Sequence, residues 1–411
     1  MGGLLSRLGP GMMLAAVAVG VSHLVFSTQA GANYGLSLVW LILLVVALKY
    51  PAFHFSVQYA SATGRSLVTG YAKIGKVALT WLVVGFFVDT FIATGAVAMV
   101  TAGLFISVFN LPFSGPQVAV ALMVISAAIL MNGQYIRAER LVKVFVLAFS
   151  VLAIVATLFA LPLIGEGGRA VFAELTPSRG LAIFVIAVAG WMPMPLNGSV
   201  QISKWVVEKR KASGGKFDHR QALSDFRIGY GLTLILALCF LLMGTAVLFD
   251  AEYVAPSNPG DFATELLGIF TTVIGKWSYP VIAVASLAVM WSTQIALMDV
   301  MPRLTDRLLG IITGRADDAP SRYSKFLIGQ VIGVSIILLF LLQGFTSFLY
   351  FATSMGFVAA PAIAYYNYVA MTSDDVPAEF RPGPKLIIWN WISVFAMAVF
   401  ALAFLYLSLT R

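Results

Sequence analysis

Long apolar segments alternate with short polar ones along the whole chain of 411 residues. Each apolar segment is long enough for an α-helix to cross the hydrocarbon core of a bilayer, which takes about 20 residues. The pattern predicts eleven transmembrane helices, over residues 11–32, 36–60, 77–108, 116–134, 141–164, 180–204, 227–249, 264–298, 326–343, 346–371 and 386–409.

The composition agrees with an all-α polytopic membrane protein, because 60% of the residues are hydrophobic and only 11% are charged. A water-soluble domain of ordinary composition carries about 25% charged residues. The single cysteine, Cys239, excludes a disulfide within the chain. The net charge of +8 then reflects basic residues in the loops on one side of the membrane, and not a preference for nucleic acid. We therefore expect the lipid bilayer, and not nucleic acid, as the protein's surroundings.

The basic residues fall in alternate loops, as the positive-inside rule requires of a membrane protein. Loops predicted to lie outside are short and uncharged, mixed or acidic. Loops predicted to lie inside carry Lys or Arg at 65, 73, 76, 137, 140, 143, 209–211, 216, 220, 303, 307, 315, 322 and 325. The alternation predicts a cytoplasmic N-terminus and an external C-terminus, and the compact loops fit a bacterial inner (plasma) membrane.

Two apolar segments contain residues that interrupt a membrane helix. Val17–Leu24 places Gly20, Ser22 and His23 at mid-membrane, and Gly190–Ser199 contains two prolines. Polar groups and broken backbone are costly in hydrocarbon unless protein, water or a ligand satisfies them. Interrupted helices in corresponding positions of two halves are a pointer to the substrate site of a secondary transporter. We therefore expect the site between these two breaks.

The positions of the breaks also predict the domain organisation. Two blocks of five spans have opposite orientations because five is odd, which predicts a 5+5 inverted repeat of leucine-transporter type plus an eleventh helix. The first repeat is residues 1–164, with helix 1 interrupted near 20–23. The second repeat is residues 165–371, with helix 6 interrupted near 193–198, and residues 372–411 hold the eleventh helix.

The first break offers Gly20, Val21, Ser22 and His23 as substrate-binding residues. Two interpretations of His23 stay open at this point. The ring either hydrogen-bonds a neighbouring carbonyl or acts as a ligand or proton carrier.

The second break offers Met194, Pro195, Asn197, Gly198 and Ser199 as substrate-binding residues. Its prolines lack an N–H group and free backbone carbonyls. Gly198 and Ser199 begin the resumed helix in this interpretation, so that N-terminal amides with a partial positive charge point at the site.

Polar side chains also lie inside other spans. Lys49 sits near the middle of the second span, where we expect it to face the protein interior and to have a partner. Asp89 in the third span is the candidate, and we place a buried Lys49–Asp89 ion pair ahead of direct substrate contact. Ser292 and Thr293 in the eighth span bond to their own helix or coordinate a small cation. Thr353 in the tenth span is a weaker case of the same kind.

Several of these residues resemble motifs of the NRAMP family of proton-coupled divalent-metal transporters. The similar motifs, in chain order, are Gly9-Pro10-Gly11, Ala30-Gly31-Ala32, Tyr34-Gly35, Trp40, Met194-Pro195 and Ser292-Thr293. The resemblance extends over the whole chain, because the count of eleven spans also agrees. It implies an ion transporter with the leucine-transporter fold.

The chain departs from the family at the metal-binding motifs. Matched without a gap, the family's Asp-Pro-Gly-Asn falls on Gly20-Val21-Ser22-His23, so that its aspartate is missing. The family's Met-Pro-His becomes Met194-Pro195-Leu196, and its tenth-helix glutamine becomes Thr353. The methionine that selects soft transition metals remains as Met194.

A site without a carboxylate suits a dication poorly, because neutral ligands alone must offset the cost of desolvating two charges. Lys49 and the helix-end amides favour a negative ligand instead. We therefore predict an NRAMP-like secondary transporter for a small anion such as bicarbonate, coupled to Na⁺ or H⁺. Ser292, Thr293 and the backbone of Val17 are the predicted ligands of a coupling Na⁺.

Two alternatives stay open. The first is proton-coupled transport of Mn²⁺, Fe²⁺ or Mg²⁺ with His23 and Met194 as metal ligands. The second is a non-transporting sensor or complex subunit on the same scaffold. We expect no enzyme activity and no cofactor, because no phosphate loop, zinc-binding spacing or catalytic set is compatible with the hydropathy.

Overall fold

The computed structural model describes residues 9–132, 135–166, 170–249, 256–315, 321–342 and 344–409. These residues are almost entirely helical, and their β-pairing is one isolated bridge between Gly35 and Phe172. The α-helices are α1 (Pro10–Ala18), α2 (Thr28–Tyr34), α3 (Val39–Thr63), α4 (Leu67–Ile74), α5 (Lys76–Phe87), α6 (Thr94–Phe109), α7 (Gly115–Met131), α8 (Tyr135–Ala160), α9 (Arg179–Trp191), α10 (Gly198–Ala212), α11 (His219–Leu248), α12 (Pro259–Ile274), α13 (Tyr279–Ile312), α14 (Tyr323–Ile336), α15 (Phe345–Val358), α16 (Ala360–Thr372) and α17 (Pro384–Leu409). The prediction of an all-α protein is confirmed.

Eight helical segments of the described chain are long and apolar enough to cross a membrane. A ninth results if α1 and Ser22–Tyr34, which meet at a bend of 52°, are counted as one broken span. The shorter apolar helices α7 and α9 fall in two of the remaining predicted spans. Each predicted span therefore has a helical counterpart, and the chain is an integral membrane protein.

The predicted bounds of the eighth span, 264–298, are wrong. A separate helix, α12, ends at Gly275, whose φ of +115° lies in the left-handed region that favours glycine. A 3₁₀ turn follows at Lys276–Ser278, and α13 then runs to Ile312. Hydropathy merged the end of α12 with the start of α13 because both are apolar, whereas the turn between them is only a few residues long.

Each of the two predicted breaks interrupts its membrane helix near the middle of the span. After α1 the chain turns at Val19 and Gly20, and it resumes as a π-helix over Ser22–Ser27 that continues into α2. After α9 the chain leaves helical geometry, and it resumes at α10. The two prolines of this second break have no N–H to donate to a preceding turn, which explains why the helix stops there.

Glycines let the first broken helix lie directly against α11. A Cβ at Gly31 would lie 2.0 Å from the carbonyl oxygen of Leu241, so only glycine permits this approach. The carboxylate of Asp225 in α11 accepts hydrogen bonds from the N–H groups of Gly9 (3.0 Å) and Gly11 (2.6 Å) at the start of α1. The glycine motifs near the N-terminus therefore serve helix packing and capping.

Gly31→Ala tests this packing. The added methyl group forces the backbones of α2 and α11 apart, and overpacking of this kind costs about 1–3 kcal/mol of unfolding free energy. We expect a lower melting temperature for the variant in detergent. Gly268→Ala in α12 is the control, since no atom lies within 4 Å of its Cβ position; it should be neutral or stabilising. Equal melting temperatures for Gly31→Ala and wild type would contradict the interpretation.

Candidate functional site

A small cavity lies between the two helix breaks. Its volume, measured as the space open to the centre of a water molecule, is about 30 Å³. This is room for one or a few water molecules. Its walls come from α1 and the first break, from the second break and α10, from residues of the third span, and from α13. The predicted site residues that line it are Val17, Val21, Ser22, Asp89, Met194, Pro195, Gly198 and Thr293. The space suits one small ion.

Asp89 is the one ionisable side chain among the described residues that line this cavity. It lies in a π-helix, Val88–Ala93, inserted between α5 and α6. Its side chain is buried, and neither carboxylate oxygen makes a hydrogen bond of standard geometry; its polar neighbour is the side-chain amide of Asn197. An ionised carboxylate is costly to bury without a partner, so Asp89 must carry a proton or face a cation that the cavity receives.

Two amide side chains accompany Asp89: Asn197, which immediately precedes α10, and Gln201, which lies in α10. Asn197 lies beside Asp89 and packs against Gly85, one turn earlier in α5, but it does not itself line the cavity. Neither amide atom of Asn197 makes a hydrogen bond of standard geometry, and the same holds for the Oε1 atom of Gln201. Unpartnered buried polar atoms are rare in folded proteins and indicate strain or a missing ligand.

The predicted Lys49–Asp89 ion pair does not exist. The Nζ atom of Lys49 donates instead to the carbonyl oxygens of Gly190, at 2.7 Å, and Met194, at 3.1 Å. Its ammonium also lies 5.7 Å from the ring centre of Phe357. Lys49 is completely buried, and it neutralises the negative, C-terminal end of α9, where cations are favoured. It does not line the cavity.

His23 has a structural environment in which both ring nitrogens are engaged. Nε2 lies 2.9 Å from the carbonyl oxygen of Thr233, and Nδ1 lies 2.9 Å from the hydroxyl oxygen of Ser22. The Ser22 hydroxyl is also 3.0 Å from the carbonyl oxygens of Ala18 and Pro193, so it connects the two breaks. The ring of His23 is fully buried and does not line the cavity. His23 and Met194 are therefore not brought together as a pair of ligands.

The hydroxyl pair of α13 meets the end of α1. Thr293 donates to the carbonyl oxygens of Ala16, at 3.1 Å, and Val289, at 3.0 Å. Ser292 donates to Val289 at 2.7 Å. Oxygen atoms from both helices therefore lie close together next to the cavity. The α1 carbonyl that Thr293 contacts is that of Ala16, one residue before the predicted Val17.

The remaining predicted site residues serve the scaffold around the cavity. The carbonyl of Gly20 accepts from the N–H groups of two residues that follow it. The hydroxyl of Ser199 accepts from the amide of Asn367 at 2.9 Å. Thr353 donates to carbonyls of its own helix, α15, and its backbone touches Gly190. None of the three lines the cavity.

The N-terminal amides of α10 are already used within the chain. The N–H groups of Gly198, Ser199 and Val200 each donate to the carbonyl three residues earlier, at 2.9 Å. Their partial positive charge faces these carbonyl oxygens. This helix end is therefore a weaker anion site than the sequence suggested.

Sequence reasoning did not single out Gln201 or Trp191, both of which line the cavity. A signal for Gln201 was present, because it lies four residues after Asn197 and so on the same face of α10. Trp191 carries no such signal, since an aromatic residue in an apolar span is unremarkable.

Comparisons with known proteins agree with this description. The family described as natural resistance-associated macrophage protein-like matches residues 11–407. An uncharacterised protein of Pasteurella multocida (strain Pm70) is 30% identical over 407 residues, which cover 97% of this chain and 92% of the relative.

The fold is similar to those of solved transporters. A mutant of the manganese transporter of Eremococcus coleocola has a TM-score of 0.70 at 13% identity, covering 97% of this chain and 86% of that one. MhsT in complex with L-phenylalanine has a TM-score of 0.61 at 17% identity, covering 97% of both chains. The predicted leucine-transporter-type fold is confirmed, and with the match over residues 11–407 the chain belongs to the Nramp family of membrane transporters.

Proposed function

We propose that this secondary transporter carries a divalent cation, with Asp89 as its charged ligand. The observation that supports this choice is the unpartnered carboxylate of Asp89 in the cavity between the breaks. A carboxylate offers a full negative charge to a cation, and it compensates for the aspartate that the first break lacks. The charged ligand comes from the third span instead of the first.

The other atoms available near Asp89 are mostly acceptors. Oxygen atoms of Asn197 and Gln201 lack partners, and the side chain of Met194 lines the cavity. Carboxylate and amide oxygens suit Mg²⁺ and Mn²⁺, whereas a thioether favours softer metals. Among the described residues no group of three or more His, Cys, Asp or Glu side chains could hold a metal. The proposed ligands are therefore the carboxylate of Asp89, the amide oxygens and the thioether, and the proposed substrate is Mn²⁺, Fe²⁺ or Mg²⁺.

The small-anion hypothesis has less support in this geometry. It depended on Lys49 and on the amides that begin α10, and both are engaged with carbonyl oxygens. Bicarbonate and the non-transporting sensor remain as outcomes that the same uptake experiment distinguishes. The manganese transporter of Eremococcus coleocola, a structural relative, adds weight to a metal substrate.

The same carboxyl group supports coupling by exchange of a proton for the metal. Asp89 binds a cation only when it is ionised, so that a proton and the metal compete for it. A Na⁺ ion is the other candidate for coupling, held by the hydroxyls of Ser292 and Thr293 with carbonyls of α1 near Ala16 and Val17. In this arrangement Na⁺ replaces the direct hydrogen bond from Thr293 to Ala16.

We place the protein in a bacterial inner membrane with a cytoplasmic N-terminus. We also propose the 5+5 repeat at residues 1–164 and 165–371, followed by the eleventh helix at 372–411. The loop charges support the orientation. Cysteine labelling of single-cysteine variants, on a background without Cys239, from each side of the membrane tests it.

The test of function is uptake into proteoliposomes of Mn²⁺, Mg²⁺ and bicarbonate, each with and without a Na⁺ or a proton gradient. Saturable Mn²⁺ or Mg²⁺ uptake supports the proposal. Uptake of bicarbonate without metal uptake would replace the cation by an anion. Absence of all uptake by folded, monodisperse protein would favour the sensor.

The pH dependence of metal binding has a definite expected sign. Lowering the pH adds a proton to Asp89 and removes the charge that the metal needs. We expect the apparent dissociation constant for Mn²⁺, measured by calorimetry on the purified protein, to rise as the pH falls. The Asp89→Asn variant should bind Mn²⁺ weakly or not at all over the same pH range. Binding that is independent of pH in the wild type would contradict the role of Asp89.

Met194→Leu tests the contribution of the thioether. Leucine fills a similar volume but has no sulfur, so the change removes a soft ligand at little cost in packing. We expect the KM for Mn²⁺ to rise while the KM for Mg²⁺ stays close to the wild-type value, because Mg²⁺ has little affinity for sulfur. A parallel rise for both metals would indicate a change of cavity shape instead.

A further inference from the structure

A second, larger cavity lies outside the transport site, between α5, α13 and α14. Its volume is about 240 Å³ by the same measure that gives about 30 Å³ for the central cavity. Its walls are largely apolar and include Phe87, Leu309 and Phe326. Phe87 is 62% exposed, as expected of a side chain that faces lipid. The cavity is therefore a groove in the membrane-facing surface.

One end of the groove carries a positive charge. Lys325 lines it, is exposed, and forms no ion pair with any described residue. Gln330 lies on the same helix five residues further into the membrane, about 7.5 Å along the axis. Between them, Gly329 leaves open space where another residue would place a side chain. The groove thus has a charged rim and an apolar interior.

The deep end of the groove is closed by the third span. The ring of Phe91 packs against Gly333 of α14. Thr90 also lines the groove, and its hydroxyl has no hydrogen-bond partner. Since Thr90 follows Asp89 in the same π-helix, one segment of backbone borders both cavities.

We propose that this groove binds one anionic phospholipid from the leaflet on the Lys325 side. The phosphate pairs with the ammonium of Lys325, and an acyl chain lies along the apolar wall past Gly329. Basic pockets between membrane helices bind anionic headgroups in this way, and a lysine near the surface contributes to the attraction. A free anion would leave the apolar wall empty. A zwitterionic lipid also carries a phosphate, but the cation of its headgroup offsets the attraction to Lys325. The combination selects an anionic lipid.

The test is lipid binding to the purified protein in detergent, measured by native mass spectrometry. Phosphatidylglycerol and phosphatidylcholine with the same acyl chains are the two probes. We expect one phosphatidylglycerol per protein, bound several-fold more tightly than phosphatidylcholine. Lys325→Gln should weaken phosphatidylglycerol binding about fivefold, the worth of one basic residue near a lipid surface. Gly329→Leu fills the groove and should abolish binding of both lipids.

Matched controls are available in the same chain. Lys385→Gln removes another exposed lysine, and Gly268→Leu adds a side chain at another open helix position; both should bind lipid as the wild type does. Equal affinity for the two lipids, or wild-type binding by Lys325→Gln, would overturn the proposal. Displacement of the lipid by millimolar inorganic phosphate alone would also overturn it, because the acyl chain would then contribute nothing. Lys325→Gln alters only an exposed side chain, so it decides the matter even if Gly329→Leu fails to fold.

Discussion

Asp89→Asn should abolish Mn²⁺ and Mg²⁺ uptake while leaving the protein folded. The substitution keeps the shape of the side chain but removes the one charge that the lining of the central cavity offers to a cation. It also removes the cost of a buried, unpartnered carboxyl group, so the melting temperature should stay the same or rise. Initial rates of metal uptake into proteoliposomes, together with thermal unfolding in detergent, measure both effects.

Two variants make this result specific. Asp89→Glu retains a carboxylate and should keep part of the activity, whereas a residue needed only for packing would tolerate Asn better than the larger Glu. Asp374→Asn changes a fully exposed carboxylate on the surface and should transport at the wild-type rate. Wild-type metal uptake by Asp89→Asn would remove the basis for a cation site at this position.

Lys49→Met should destabilise the protein more than any other substitution considered, by roughly 2–4 kcal/mol. Methionine approximates the length of the lysine but leaves the carbonyls of Gly190 and Met194 without their donor. Hydrogen bonds to a charged group contribute about 1.5–3 kcal/mol each, and a buried acceptor left unpaired keeps its desolvation cost. Relief from burying the ammonium offsets part of this loss. Thermal unfolding in detergent measures the difference.

Lys385→Met is the control for Lys49→Met, because Lys385 is exposed at the start of α17 and its loss should change stability by less than about 0.5 kcal/mol. The double variant Lys49→Met with Asp89→Asn distinguishes the observed contacts from an ion pair. If the two residues were paired, the second substitution would recover much of the stability lost by the first. The structure predicts no such recovery, and a large one would show that the ion pair exists.

The two side chains have separate tasks although both are ionisable and buried. Lys49 holds the second break by donating hydrogen bonds to one carbonyl in the last turn of α9 and to one in the break itself. Asp89 faces the cavity without a partner. In the proposed function, the carboxylate that the first break lacks is supplied by Asp89, from a π-helix in the third span.

Much of the fold follows from the sequence. Uncharged runs of about 20 residues leave an α-helix as the structure that satisfies every backbone group in hydrocarbon. The positions of the breaks also follow, since Gly20 and the two prolines at 193 and 195 disfavour a continuous helix there. The end of α12 at Gly275 was missed, because hydropathy does not register a short turn between two apolar helices.

The partners of buried polar side chains were beyond the sequence. Spacing along a helix gives the depth and the face of a residue, so it identified Lys49, Asp89 and His23 as interior groups. It gave no means of choosing among the helices that surround each of them. Lys49 was assigned a carboxylate, but two carbonyls that the proline break exposes lie closer in the folded chain.

The sequence by itself determined a broken-helix membrane transporter, because hydrocarbon restricts the backbone to helices and tolerates interruptions only where other groups satisfy them. Only the tertiary structure decided which interior groups are satisfied. The ring of His23 is hydrogen-bonded to the carbonyl of Thr233, whereas the carboxylate of Asp89 makes no hydrogen bond of standard geometry. Hydrogen bonds require contact within about 3 Å, and that distance is set by how separate helices pack, through contacts such as Gly31 against α11.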